Sequence, residues 1–210
     1  MKEKKFIKDL SDNEKKEIFD YIVNKFSLEN NELSKSFYNS IIEYIKSVRR
    51  CVDTFYKNVD EIIELFIACG YDNDQIMQIL SKEPSILHEN KNDIFYRILI
   101  LGKVFYPKDE SCVRDSYLLQ NPRILRTSQE VMYARIKYLE SSEGRSHLRH
   151  NNYLTNRQIT KATHKEFQNS YGISKDELLK KYPFDTDALL DIVSWPENKE
   201  ILDNIFGRSI

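Results

Sequence analysis

Ten cations crowd the middle of this chain. They are Arg114, Arg123, Arg126, Arg135, Lys137, Arg145, Arg149, Arg157, Lys161 and Lys165. Over residues 97–166 there are 13 Lys or Arg against 7 Asp or Glu, a local charge of +6. The segments on either side carry −4 (residues 1–96) and −3 (residues 167–210). A basic middle between acidic ends is what a local anion-binding face leaves in a sequence whose total charge is only −1. Arginine dominates the cluster, and its planar fork gives two parallel hydrogen bonds in the geometry that a phosphate accepts. Arg123 is the x of a Pro-x-Ile-Leu sequence and Arg126 follows it, just before an expected helix start, where exposed amides and the helix dipole also favour an anion. Arg114, Lys137, Arg145, Arg149, Arg157 and Lys161 are the further candidates for such a track. The competing reading is chance clustering on solvated faces, and for Arg97 and Arg135 it is pairing with carboxylates or helix caps between helices.

Other reactive residue types do not assemble into a site. His147-Leu-Arg-His150 and His164 lack a carboxylate or cysteine to complete a ligand set, so they read as polar surface or as phosphate contacts, and no metal is expected. Cys51, Cys69 and Cys112 are odd in number and far apart, which suits reduced core residues in a cytosolic protein. Tyr133, Tyr138 and Tyr153 lie among the arginines. They are core at helical spacing or, alternatively, platforms for unpaired bases. No nucleophile-and-base motif, glycine-rich phosphate loop or carboxylate pair stands out. The expectation is therefore a protein that is not an enzyme, with no cofactor and no small-molecule substrate.

The elements that must position these cations are written twice. Residues 76–101 (IMQILSKEPSILHENKNDIFYRILIL) and 114–139 (RDSYLLQNPRILRTSQEVMYARIKYL) fall into register at an offset of 38. Leu80 then meets Leu118, Pro84 meets Pro122, Ile86 meets Ile124 and Leu87 meets Leu125. Arg97 meets Arg135, Ile98 meets Ile136 and Leu101 meets Leu139. A fixed period of this length marks stacked helical repeats, which act through an extended surface. Val52, Val59, Ile63 and Phe66 form a degenerate earlier copy, and residues 171–183 a partial later one.

Helix punctuation fills in the unit. Ser11 with Glu14, and Ser174 with Glu177, have the spacing of capping boxes. A helix is expected from about Leu33 into the late forties. Asn58 is the expected cap of the next, with Gly70 past its end, where positive φ is needed. Asp72 caps a short helix that Pro84 ends, because proline lacks an amide and disfavours helix in the residue before it. Pro-x-Ile-Leu is then a single tight turn burying Ile86 and Leu87, and Asn90 opens a long helix. In the second unit Ser111 and Ser128 are the equivalent caps. Thr155 and Gln158 open a helix running through Ile159, Ala162 and Phe167. Two short helical patterns, Leu189–Val193 and Ile201–Phe206, close the chain around Trp195-Pro196.

Hydrophobic residues make up 40% of the 210 and charged ones 31%, with five glycines and five prolines. That composition predicts a globular all-α protein with brief connections. No apolar run approaches a membrane span, and no apolar stretch follows the basic N-terminus, so a cytoplasmic protein without a membrane partner is expected. The expected fold is a short helical-repeat superhelix (an α-solenoid). It comprises an N-terminal helical cap over 1–48, repeats over 49–183 and C-terminal capping helices over 184–210.

The unit of short helix, proline, x-Ile-Leu, gap and long helix resembles the repeat of the mitochondrial transcription termination factor (mTERF) family. The lines that carry the resemblance are GYDNDQIMQILSKEPSIL, NPRILRTSQEVMYARIKYL and YGISKDELLKKYP, within residues 50–183. The resemblance implies a curved all-α superhelix that binds DNA or RNA through a positively charged concave groove, without catalysis, in transcription or RNA-related work. The alternative expectation is an interaction or inhibitor protein that holds a nucleic-acid-handling protein, with Asp185, Asp187 and Asp191 as part of its acidic surface.

Overall fold

A computed structural model describes residues 5–26, 31–105, 118–144 and 162–185. These residues are all-helical apart from one isolated backbone bridge, Phe6 to Cys51. A short 3-10 turn, η1 (Ile7–Asp9), leads to α1 (Asp12–Val23), α2 (Glu32–Ser47) and α3 (Val52–Ala68). The first repeated unit follows: α4 (Asn73–Lys82), the 3-10 turn η2 (Pro84–His88) and α5 (Lys91–Phe105). The second contains α6 (Leu118–Gln120), the turn η3 (Pro122–Arg126) and α7 (Gln129–Glu140). Two further helices, α8 (His164–Tyr171) and α9 (Lys175–Lys181), complete the described chain.

Local chemistry sets most of these boundaries. Ser11, Asp72, Thr163 and Ser174 each cap a helix by accepting from the amide three residues on, and each has a reciprocal Glu or Gln completing the box. Gly70 (φ 83°) and Gly172 (φ 72°) supply the left-handed residue after α3 and α8, which an L side chain adopts only at a cost. The residue before each described proline takes the same extended bridge conformation: Glu83 (φ −147°, ψ 72°), Asn121 (−134°, 55°) and Tyr182 (−129°, 71°). Proline's ring excludes helix at that position, so the three short helices stop for one reason.

Two expected starts are corrected. Asn58 is not a cap: α3 begins six residues earlier at Val52, and the Asn58 amide lies mid-helix, donating to the His88 carbonyl at 3.1 Å. The start is fixed instead by the N-terminal segment, where the Ile7 amide donates to the Arg50 carbonyl (2.9 Å) and the Val52 amide to the Lys5 carbonyl (3.0 Å). Phe167 does not share a helix with residue 155, because the Thr163 cap starts α8 afresh.

One continuous apolar cluster runs from Ile7 to Leu178. The helices meet in two series, α2 with α4 and α4 with α6, and α3 with α5, α5 with α7 and α7 with α9. The 3-10 turns sit between the two series, which is why Ile86, Leu87 and Leu125 are completely buried and Ile124 nearly so. Each such side chain contributes roughly 1.5–3 kcal/mol by leaving water. The equivalent arginines tie each long helix to the next unit. Arg97 donates through Nη1 to the Leu125 carbonyl and to Glu89 Oε2 (3.2 Å), and through Nε to Gln129 Oε1 (3.4 Å). Gln129 in turn donates to Asp93 (2.9 Å). Arg135, 2% exposed, lays its guanidinium 4.8 Å from the Phe167 ring centroid on α8. Burial pulls its pKa down to about 10, opposed by the Glu166 charge, so it stays protonated at neutral pH. Arg97 and Arg135 are thus internal fastenings.

Candidate nucleic-acid interface

The turn η3 brings Arg123 and Arg126, the residues before and after the buried Ile124–Leu125 pair, to the surface. A five-residue 3-10 turn does this by its own period: residues three apart eclipse, so 123 and 126 share one side while 124 and 125 face the core. Their side chains are 82% and 62% exposed. They open onto a cleft of about 1000 Å³, with Lys82 from the end of α4 as a third cation. Gln120, Asn121 and Thr127 supply polar groups from the same unit and Thr163 from the start of α8, while Pro122 and Ile124 form the apolar part of the wall. None of these lining residues is acidic. The Lys82 ammonium also donates to the Leu119 carbonyl at 2.5 Å, which fixes it at the seam between the two units.

Behind the arginines stands one carboxylate. Glu83, the residue before Pro84 in the preceding unit, has a side chain only 7% exposed. Its Oε2 lies 3.5 Å from Arg123 Nε and 3.9 Å from Arg126 Nη1, and the Ser85 hydroxyl donates to its other oxygen. The cations of the cleft therefore come from two successive units, and the two arginines share an internal counter-ion.

Of the other expected contacts, Lys137 lies half-buried on α7 with its ammonium 5.6 Å from the Tyr133 ring centroid, and it does not line the cleft. Lys165 and His164 are exposed on the first turn of α8; burial and the charges of Arg135 and Lys175 hold the His164 pKa below its ordinary value. Arg114, Arg145, Arg149, Arg157 and Lys161 lie outside the described residues, as do His147, His150, Tyr153, Cys112, Ser111, the start at Thr155 and the closing patterns after residue 185. Tyr138 is completely buried, its hydroxyl donating to the Tyr171 carbonyl at 3.3 Å, so it is a core residue and not a stacking platform. Tyr133 is half-buried with its ring against Phe184. Cys51 and Cys69 are free thiols at the two ends of α3; Cys69 packs against the core, where burial pushes its thiol pKa up to about 12, while Cys51 is half-buried.

Sequence reading missed Lys82, Glu83 and Thr163. The Thr163-His-Lys-Glu166 capping box was a readable signal for the last. Lys82 and Glu83 gave none, because what matters about them is their place against the following unit. Among the described residues no group of three or more His, Cys, Asp or Glu could hold a metal ion, and no helix is long and apolar enough to cross a membrane. Compared with known protein families, curated proteins and solved structures, the chain matches none.

Proposed function

We propose that the chain is a non-catalytic helical-repeat protein, built on an mTERF-like unit stacked into a short superhelix, that binds DNA or RNA through the cleft at η3. One observation carries this reading: Lys82, Arg123 and Arg126 converge from two units on a cleft whose lining, among the described residues, holds polar amides and hydroxyls and no acid. Three cations around a concavity of that size suit the phosphates of a polynucleotide strand. Among the described residues the lining has no aromatic ring, so their contact is with the phosphate–sugar backbone, which positions a strand without reading its sequence. Affinity then comes mostly from counterion release and weakens steeply with salt. A role in transcription or RNA-related regulation is the process such binding serves.

The experiment is fluorescence anisotropy with labelled 20-mer duplex DNA, single-stranded DNA and RNA, using the wild type and Arg123→Glu/Arg126→Glu. The double variant should lose at least about tenfold in affinity for the preferred ligand. Its helicity by circular dichroism should be unchanged, since both side chains are exposed. Equal binding by variant and wild type would remove the reading.

A second reading, a protein partner held by the same surface, draws on Glu83, which already engages both arginines from within the chain. A stoichiometric protein partner that co-purifies and survives a high-salt wash, with no nucleic acid in the absorbance spectrum, would favour it.

A further inference from the structure

Among the described residues Glu83 is the one acid set against the cleft's arginines, and its setting differs from theirs. Its carboxylate is almost fully enclosed and anchored by the Ser85 hydroxyl, and its backbone is held by the following proline. Arg123 and Arg126 reach it from the surface at 3.5 and 3.9 Å, distances longer than a charge-assisted hydrogen bond between such groups. The acid is therefore fixed, and the two guanidiniums are arms free to pivot about it.

We propose that Glu83 is a built-in competitor for the ligand's phosphate: in the ligand-free protein it holds Arg123 and Arg126, and a bound strand must draw them away from it. This rests on the nucleic-acid reading above and adds a regulator of the same site. Two physical consequences follow. A strand that takes both guanidiniums leaves an enclosed carboxylate with only the Ser85 hydroxyl, and that uncompensated charge holds the affinity down. Part of the arginines' charge is also neutralised before binding, so fewer counterions leave when the strand arrives and the salt dependence is shallower than three cations alone would give. A carboxylate that merely oriented the arginines would act in the opposite sense, and its removal would weaken binding.

The test compares the wild type, Glu83→Gln, Glu83→Asp and Arg123→Glu/Arg126→Glu, titrated with the same 20-mers between 50 and 300 mM NaCl. The glutamine is isosteric, and the second unit carries an amide, Asn121, at the equivalent place. Glu83→Gln is expected to bind several-fold more tightly. Its plot of log affinity against log salt should steepen by about 0.9 for duplex or about 0.7 for single strands, one more phosphate contact. Glu83→Asp keeps the charge but withdraws it by one methylene, so it should move in the same direction by less; that prediction stands even if the glutamine variant fails to fold. Unchanged or weaker binding by a folded Glu83 variant, with the wild-type salt slope, overturns the proposal. If the double arginine variant loses binding in that case, the nucleic-acid reading survives without it. If the double variant binds as wild type does, both fall together.

Discussion

In η2, the positions that follow the proline by one and four residues are Ser85 and His88; in η3 they are Arg123 and Arg126. The two turns have the same length, the same residue pattern of Pro-x-Ile-Leu-x and nearly the same entry angles, and both bury their Ile-Leu pair. Their surroundings differ. The first turn lies against α2 and α3, so His88 stacks on Tyr44 (centroids 6.0 Å apart, planes 11° apart) with the Tyr44 hydroxyl 2.6 Å from its Nδ1. The second turn packs on α4 and α5 and presents its outer side to the cleft. One backbone is used as a strut in the first unit and as a display platform in the second, and the choice is made by two side chains and their neighbours.

The likeness of the two units is most exposed to test at their fastening. Arg97→Ala leaves Glu89, Asp93 and the Leu125 carbonyl without their shared buried donor and should cost about 3–5 kcal/mol in urea unfolding. A loss below about 1 kcal/mol would mean the units are not joined there. Next, Leu87→Ala and Leu125→Ala should each cost about 2–5 kcal/mol, since both side chains are fully buried in equivalent turns. Similar losses support the equivalence, and a near-neutral Leu125→Ala would break it.

A smaller effect marks the difference between the turns. Burial first, and then the Arg50 charge, hold the His88 pKa below its ordinary 6.5. A histidine with a depressed folded pKa lends stability above the unfolded value, and that stability is lost as pH falls through 6.5 toward the folded pKa. Thermal melts should therefore lose stability on acidification through that window, and His88→Gln should flatten the loss in part. His164 is depressed as well, so the difference between variant and wild type reports His88. Identical pH profiles would show that burial does not depress the His88 pKa in the folded protein.

Much of this was legible in the residues. The offset of 38, the proline stops, the boxes at Ser11 and Ser174 and the pairing of Arg97 with carboxylates follow from spacing and residue type, because local sterics and hydrogen bonding decide them. The start of α3 was not legible, because contacts with residues 5–7 set it and Cys51 offers no capping side chain. Arg123 and Arg126 could be named as surface cations. Their junction with Lys82 and Glu83 depends on how one unit stacks on the next, which a one-dimensional pattern does not encode.

On the proposed reading, two side chains convert a structural turn into a binding one. Arg123→Ser/Arg126→His gives η3 the residues of η2, and its salt-dependent binding to the preferred 20-mer tests that claim directly. The predicted result is a native melting curve, with a salt slope shallower by about one for the two arginines together, since Glu83 already offsets the other charge, and affinity reduced at every salt concentration. A folded variant that keeps the wild-type affinity and slope would contradict it.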